Sequence, residues 1–261
     1  MEFYRGRTAL VTGASAGIGE AFARRLAAAG ARVVLVSRSE DALRALAAEL
    51  GGGAVALAED LQQPGASARL AERLDAEGLA VDVLVNNAGV DLPGPFAAQD
   101  PDALEAMVAL NCGALTGLTR RLLPGMLARR RGGVLNVASM AAFQPTVGMA
   151  TYAATKAYVL RLTQALHYEL KGTGVHASCL CPAQVPTRMT EGRPAMGPRL
   201  ARGYTADDAA RTGLRALTRN DREAALGWFN KVHAAATRLS PTALTLFLSE
   251  RYAGAGQPSS P

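Results

Sequence analysis

A chain of 261 residues with 49% hydrophobic and 19% charged residues is long enough to bury a sizeable core as one domain and too apolar for a disordered polymer. No apolar run is long enough to span a bilayer, and the opening MEFYRGRTALVTG has an acid and two arginines where a secretory leader needs an apolar stretch, so a cytoplasmic protein is expected. The formal net charge of +6 favours an anionic ligand without implying nucleic acid.

In chain order, TALVTG is a short apolar run closed by glycine, and IGEAFARRLAAAG follows with helical spacing up to Gly30. RVVLVSR predicts a second strand, then a helix from Ser39 to Leu50, a strand AVALAED, a helix from about Pro64 to Glu77, and a strand VDVLVNNAG. A long helix is predicted over about 101–130, a strand at GVLNVAS, a helix over about 150–171, and a sixth strand at GVHASCLCP. Strands alternating with helices argue for an α/β doubly wound parallel sheet with helices on both faces and a ligand crevice at the carboxyl ends of the strands.

After Pro182 the pattern stops. PAQVPTRMTEGRPAMGPRLARGY carries four prolines and three glycines, the composition of a binding loop or lid, here assigned to 186–204, with Met189, Met196 and Leu200 as adaptable apolar side chains. Helices resume at about 205–218 and over 228–252, within a helical extension taken as 220–252. The whole of 1–252 is read as one domain and 253–261 as a disordered tail. The apolar residues Trp228, Phe229, Val232, Leu239, Leu244, Phe247 and Leu248 of the extension fit packing on its own domain, and also a cleft cover, a dimer contact or a membrane surface, the last weakened by Asp221 and Glu250.

Three cysteines (Cys112, Cys179, Cys181) without CxxC spacing suit neither a disulfide framework nor zinc, and Cys179 and Cys181, in an apolar run, read as buried thiols. His167, His176 and His233 have no metal-ligand spacing and read as structural; no metal is expected. Arg129 to Arg131 reads as a solvated face at a helix C-terminus, where cations favour the dipole.

Three places carry chemistry. In TGASAGIG, Gly13, Gly17 and Gly19 join the first strand to the first helix with GxxxGxG spacing, so the backbone can turn tightly and approach a pyrophosphate at a helix N-terminus. At the end of the second strand stand Ser37 and Arg38 rather than an acid; a guanidinium there pairs with a 2′-phosphate, which favours NADP(H) over NAD(H). Ser37 and Glu40 have capping-box spacing, and Glu40 and Asp41 suit a first helical turn. Finally, the chain has only three lysines, yet Lys156 sits four residues after Tyr152. That spacing puts phenol and ammonium on one helix face, and a nearby cation favours the phenolate, which makes tyrosine a usable proton donor at neutral pH.

Together these residues resemble the short-chain dehydrogenase/reductase family from about Thr8 to Thr187, through TGASAGIG at 12–19, NNAG at 86–89, Asn111, Ser139, YAATK at 152–156 and PAQVPT at 182–187. The resemblance implies a Rossmann fold and hydride transfer between nicotinamide and a carbonyl or alcohol. It implies Tyr152 as proton donor, Ser139 as hydrogen-bond donor to the carbonyl oxygen, Lys156 as the group that lowers the tyrosine pKa and holds the nicotinamide ribose, and Asn111 as support for a proton-relaying water. Cofactor contacts are implied for Gly13, Ser15, Gly17, Ile18 and Gly19, for Ser37 and Arg38, for Asp60 and Leu61 beside the adenine, for Asn87, Ala88 and Gly89, and for Val185 and Thr187 at the carboxamide. The helices at 101–130 and 150–171 are implied to pair in a homodimer or homotetramer.

Two departures stand out: Ala183 replaces the family's usual glycine, and the C-terminus carries the helical extension in place of a short strand and a DGG-like segment. The reading is an NADPH-dependent carbonyl reductase or ketoreductase for a hydrophobic ketone, aldehyde or secondary alcohol. The rivals are a non-redox dinucleotide-binding scaffold or sensor and an isomerase or dehydratase on the same fold.

Overall fold

The computed structural model of the protein describes residues 2–186 and 203–254, with the backbone alone at 238, 239, 248 and 251–254. Strands β1 (Thr8–Thr12), β2 (Arg32–Ser37), β3 (Val55–Ala58), β4 (Val83–Asn86), β5 (Gly132–Val137), β6 (Val175–Cys181) and β7 (Glu223–Ala225) form one sheet in the order β3-β2-β1-β4-β5-β6-β7. Every pairing is parallel. The chain order reverses between β1 and β4, the point at which doubly wound sheets open a crevice beyond their strand ends.

The unbroken apolar runs of these strands follow from cover on both faces. On one face, Val11, Val33, Leu35, Val85, Leu135 and Leu180 pack under α1 (Gly17–Ala28), α2 (Glu40–Leu50) and α7 (Ala206–Arg219). On the other, Leu10, Val34, Val36, Leu84 and Val134 pack under α3 (Ala66–Ala76) and α5 (Leu115–Ala128), while α6 (Ala150–Glu169) covers Cys179 and Cys181. The period of two in each strand therefore sorts neighbours to opposite helical layers.

The helix predicted over 101–130 runs as three pieces. In α4 (Pro101–Val108), Asp100 caps the start by accepting from the Asp102 amide at 3.0 Å, with Pro101 in the first turn. A π-helical segment, Ala109–Ala114, then leads into α5. Such wide turns concentrate at functional sites, and this one carries Asn111.

Three sequence expectations are corrected. Residues 223–225, expected to be helical, form β7, which pairs with β6 from Cys179 to Cys181. The stretch 228–252 is two helices, α8 (Gly227–Leu239) and α9 (Thr242–Gly254), because Pro241 cannot continue a helix. The Ser37–Glu40 capping box does not form: Ser37 Oγ accepts from the Ser39 amide at 3.2 Å, and Glu40 pairs with Arg44. Most of the 186–204 loop, with Met189, Met196 and Leu200, and the end of the tail lie outside the described residues.

Arg129 and Arg131 prove to be more than a solvated face. Asp82, with its side chain 5% exposed, receives Arg131 at 2.9 Å, Arg129 at 3.3 Å and the Thr8 amide at 3.2 Å, which joins β1, β4 and the end of α5. Hydrogen bonds to an ionised group in so enclosed a place each contribute more than neutral ones. Asp82→Ala is expected to destabilise the fold by roughly 2–3 kcal/mol, read as a lower urea midpoint at unchanged slope.

Candidate active site

The glycine turn after β1 is built around close approaches. Gly13 and Gly17 have φ of +66° and +61°, which a side chain resists, and a Cβ on Gly19 would lie 2.1 Å from the Gly13 carbonyl oxygen. Ile18 packs against the core below, Ser15 is half-buried, and the Ala14 amide holds the turn to β2 through the Val36 carbonyl at 3.2 Å. No side chain caps the N-terminus of α1, so its first amides and the positive end of its dipole face the turn as an anion cradle.

The segment after β4 is bolted to this turn. Thr12 Oγ1 accepts from the Asn87 and Ala88 amides, each at 3.0 Å, and Asn87 Nδ2 donates to the Thr12 and Gly13 carbonyls at 2.9 and 3.3 Å. Asn87 is thereby consumed in positioning the backbone on both sides of the switch point. Thr12 was missed by the sequence reading, because a threonine at a strand end looks like any β-branched residue.

Gly89 leads to the enclosed part of the site. A Cβ there would come 3.1 Å from Asn111 Oδ1 and 3.2 Å from Lys156 Nζ, so both side chains pack over the bare backbone. Asn111, 1% exposed, accepts from the Val90 amide at 3.0 Å and donates to the Val90 carbonyl at 2.9 Å and to Thr155 Oγ1 at 3.1 Å. Thr155 in turn donates to the Tyr152 carbonyl at 2.8 Å, linking the π segment to α6.

Lys156 is 5% exposed and donates to the Val137 carbonyl at 3.0 Å, two residues before Ser139. Burial pushes its ammonium down to about 8, partly opposed by the nearby thiols of Cys179, Cys112 and Cys181 and by Asp91. Cys179 and Cys181 are buried as expected, and Cys112 is half-buried. The Tyr152 ring shares its helix face, with its centroid 5.7 Å from Nζ. Ser139 follows β5 in extended backbone, and its Oγ accepts from the Ala141 amide at 3.2 Å, starting a 3-10 turn over Met140–Phe143.

Other predicted positions gather at the far end of the crevice. Arg38 donates to Gln62 Oε1 at 3.3 Å; Asp60 holds the Gln62 amide at 3.1 Å; and Leu61 is buried. Val185 is buried in the core layer under α1 and α7, whereas Thr187 lies outside the described residues. Ala183 needs no glycine conformation: among the described residues, the non-glycine positions at positive φ are Arg130 and Asn220. His167 and His176 bond the Ala177 and Leu217 carbonyls, and no metal-ligand cluster of three side chains occurs among the described residues.

Sequence reasoning also missed a buried polar chain beneath the site. Asn86 Nδ2 donates to Asn136 Oδ1 at 2.9 Å and to Thr119 Oγ1 at 3.0 Å, and Asn136 Nδ2 donates to Thr163 Oγ1 at 2.8 Å. The signal available was the asparagine in the middle of the apolar run GVLNVAS, since a polar residue in a doubly covered strand requires a partner. A cleft of about 530 Å³ opens between Phe143–Val147, Ala150, Ala153, Ala157 and Leu246. Tyr152 and Lys156 are not among the residues that line it.

A parallel sheet with a glycine cradle at its switch point and a buried lysine beside it defines a dinucleotide-binding protein of the Rossmann type. Residues 7–197 match the family model of the short chain dehydrogenases. The chain is 38% identical over 195 residues to a very-long-chain 3-oxoacyl-CoA reductase of Phaeosphaeria nodorum, covering 72% of this chain and 57% of that protein. It is 33% identical over 249 residues to the ketoacyl reductase HetN of a Nostoc species, covering 92% and 87%. A short-chain dehydrogenase from Sphingobium yanoikuyae, solved in complex with NADPH, superposes with a TM-score of 0.77 at 33% identity, over 89% of this chain and 94% of that one. The protein belongs to the short-chain dehydrogenase family of oxidoreductases.

The buried ammonium has a measurable consequence. The unfolded chain keeps its lysine proton up to a pH near 10.5, whereas the fold releases it near 8, so between these values the unfolded state binds more protons and rising pH favours the fold. Below that window the cost of burying the charge is fully present. Lys156→Met, without nucleotide, is expected to be more stable than the parent at pH 7 by on the order of 2–3 kcal/mol, and thermal unfolding should show the difference shrinking from pH 8 to 10.5.

Proposed function

We propose that the protein is an NADPH-dependent ketoreductase for hydrophobic ketones and aldehydes, reversible toward secondary alcohols. The observation that carries this reading is the convergence of Lys156, Asn111 and the bare Gly89 backbone at the strand ends, with Tyr152 on the lysine's helix face. The residues present fit a dinucleotide. The turn at Gly13, Ser15, Gly17, Ile18 and Gly19 and the uncapped α1 terminus would hold the pyrophosphate, Asp60 and Leu61 the adenine, and Asn87 to Gly89 and Val185 the remainder. Arg38, at the end of β2 with Ser37 beside it and no acid at that position, favours a 2′-phosphate, in line with the NADPH bound by the Sphingobium relative.

When bound, the reduced nicotinamide supplies the hydride. Around it, Ser139 would donate to the substrate oxygen and Tyr152 would deliver the proton to that atom as negative charge develops there. Lys156, held charged below its pKa of about 8, would favour the phenolate left behind. Asn111 would hold the backbone at Val90 and a water through which the proton is replaced. Tyrosine and serine then supply the polarisation a metal would otherwise provide. A hydrophobic carbonyl substrate agrees with the oxoacyl and ketoacyl substrates named for the relatives. Assembly as a homodimer or homotetramer is supported by the exposed outer faces of α5 and α6, where Tyr158 is 43% exposed and bonds Thr116. A cytoplasmic location rests on the sequence; no described helix is long and apolar enough to cross a membrane.

Tyr152→Phe is expected to lower NADPH oxidation with any accepted ketone by about 10²- to 10⁴-fold while nucleotide still quenches or enhances the intrinsic fluorescence. Retained turnover would refute the assignment. Arg38→Ala is expected to raise the KM for NADPH by about 10- to 100-fold and leave that for NADH nearly unchanged, as loss of a charge-assisted contact to phosphate requires.

A further inference from the structure

The two C-terminal helices reach the segment that carries Ser139. After the 3-10 turn at Met140–Phe143, the chain runs extended through Gln144, and His233 Nε2 of α8 lies 3.3 Å from Gln144 Oε1. Three residues further on, the Val147 amide donates to Ser249 Oγ of α9 at 2.9 Å. The ends of the same segment are fixed to the main fold: the Met140 amide bonds the Pro182 carbonyl at 3.0 Å, and the Gly148 carbonyl accepts from Gly94 at 2.8 Å. Its middle is tied down from the extension.

The platform that makes these contacts is well anchored. At the start of α8, Gly227 has a φ of +71°, and a Cβ there would strike the Tyr204 hydroxyl, so only glycine fits. Asn230, 1% exposed, donates to the Leu226 carbonyl at 2.7 Å, and Ala234, beside His233, is buried. Ser249 is 6% exposed, and loss of its hydroxyl would leave the Val147 amide without that acceptor. Burial lowers the His233 pKa, so at neutral pH its imidazole carries one proton, which the Nε2 tautomer can direct at Gln144.

We propose that α8 and α9 act as a clamp on the Ser139 segment, with His233 and Ser249 as positioning residues that hold Gln144 and Val147 and thereby the serine's aim at the substrate oxygen. The inference rests on the reading of Ser139 given above. The extension is thus a working part of the active site. A serine hydroxyl that must meet a carbonyl oxygen at hydrogen-bond distance tolerates little displacement, and an error of about an ångström can cost two orders of magnitude in rate.

The test uses the full-length protein, NADPH and a ketone it reduces. His233→Ala and Ser249→Ala are each expected to lower kcat by about 10- to 100-fold with the KM for NADPH unchanged, and His233→Gln, which keeps a donor near the Nε2 position, to recover most of the loss. Ser139→Ala is measured alongside. If Ser139→Ala is inactive while His233→Ala and Ser249→Ala turn over normally, the clamp is wrong and the serine's role stands. If Ser139→Ala turns over normally, the role of the serine fails and the clamp with it. A loss of kcat matched by equal loss of NADPH affinity and melting temperature, unrelieved in His233→Gln, would mean general damage to the fold and also overturn the proposal.

Discussion

An ammonium cannot be buried without an acceptor and tightly packed walls, and that requirement at Lys156 organises the crevice. The Val137 carbonyl meets the charge, and the absence of a side chain at Gly89 lets the lysine and Asn111 close over the same backbone. Asn111 reaches that position from a π-helical segment, which moves it off the register a regular helix would impose and allows it to bond both polar groups of Val90. The local cost of the wide turn and of the desolvated charge is offset by the well-packed sheet below.

That sheet supplies the second half of the arrangement. Because every strand is parallel and the order reverses between β1 and β4, the turns leaving those strands diverge and leave room between them. Thr12 and Asn87 set how far apart they stand, while Asn86, Asn136, Thr119 and Thr163 lock β4 and β5 to α5 and α6. A fully enclosed hydrogen-bond chain of this kind tolerates little rearrangement, which suits a scaffold that must hold a phenol and an ammonium in fixed relation.

The C-terminal region belongs to the same logic. Its helices leave Trp228, Val232 and Phe247 more than half exposed, so burial of apolar surface does not by itself explain their placement. Their polar contacts to Gln144 and Val147 fall on the segment following Ser139, which ties the extension to the main fold.

Much of this was legible in the chain. Apolar runs of strand length alternating with helical spacing define a doubly covered parallel sheet whatever the details, and glycines after β1 and a lysine one helical turn from a tyrosine report backbone and side-chain needs that few other residues satisfy. The misses share a physical cause. Three-residue β7 is too short for its own periodicity, and Glu223–Ala225 becomes a strand only because β6 offers an open edge. Thr12, Asn136, His233 and the arginines around Asp82 are ordinary residues until partners up to ninety positions away arrive beside them. Sequence alone determined the layers and the placing of Tyr152 and Lys156 on one helix face, because those depend on local spacing. Which groups meet across the crevice was decided by tertiary packing, because hydrogen bonds between distant segments leave no period in the chain.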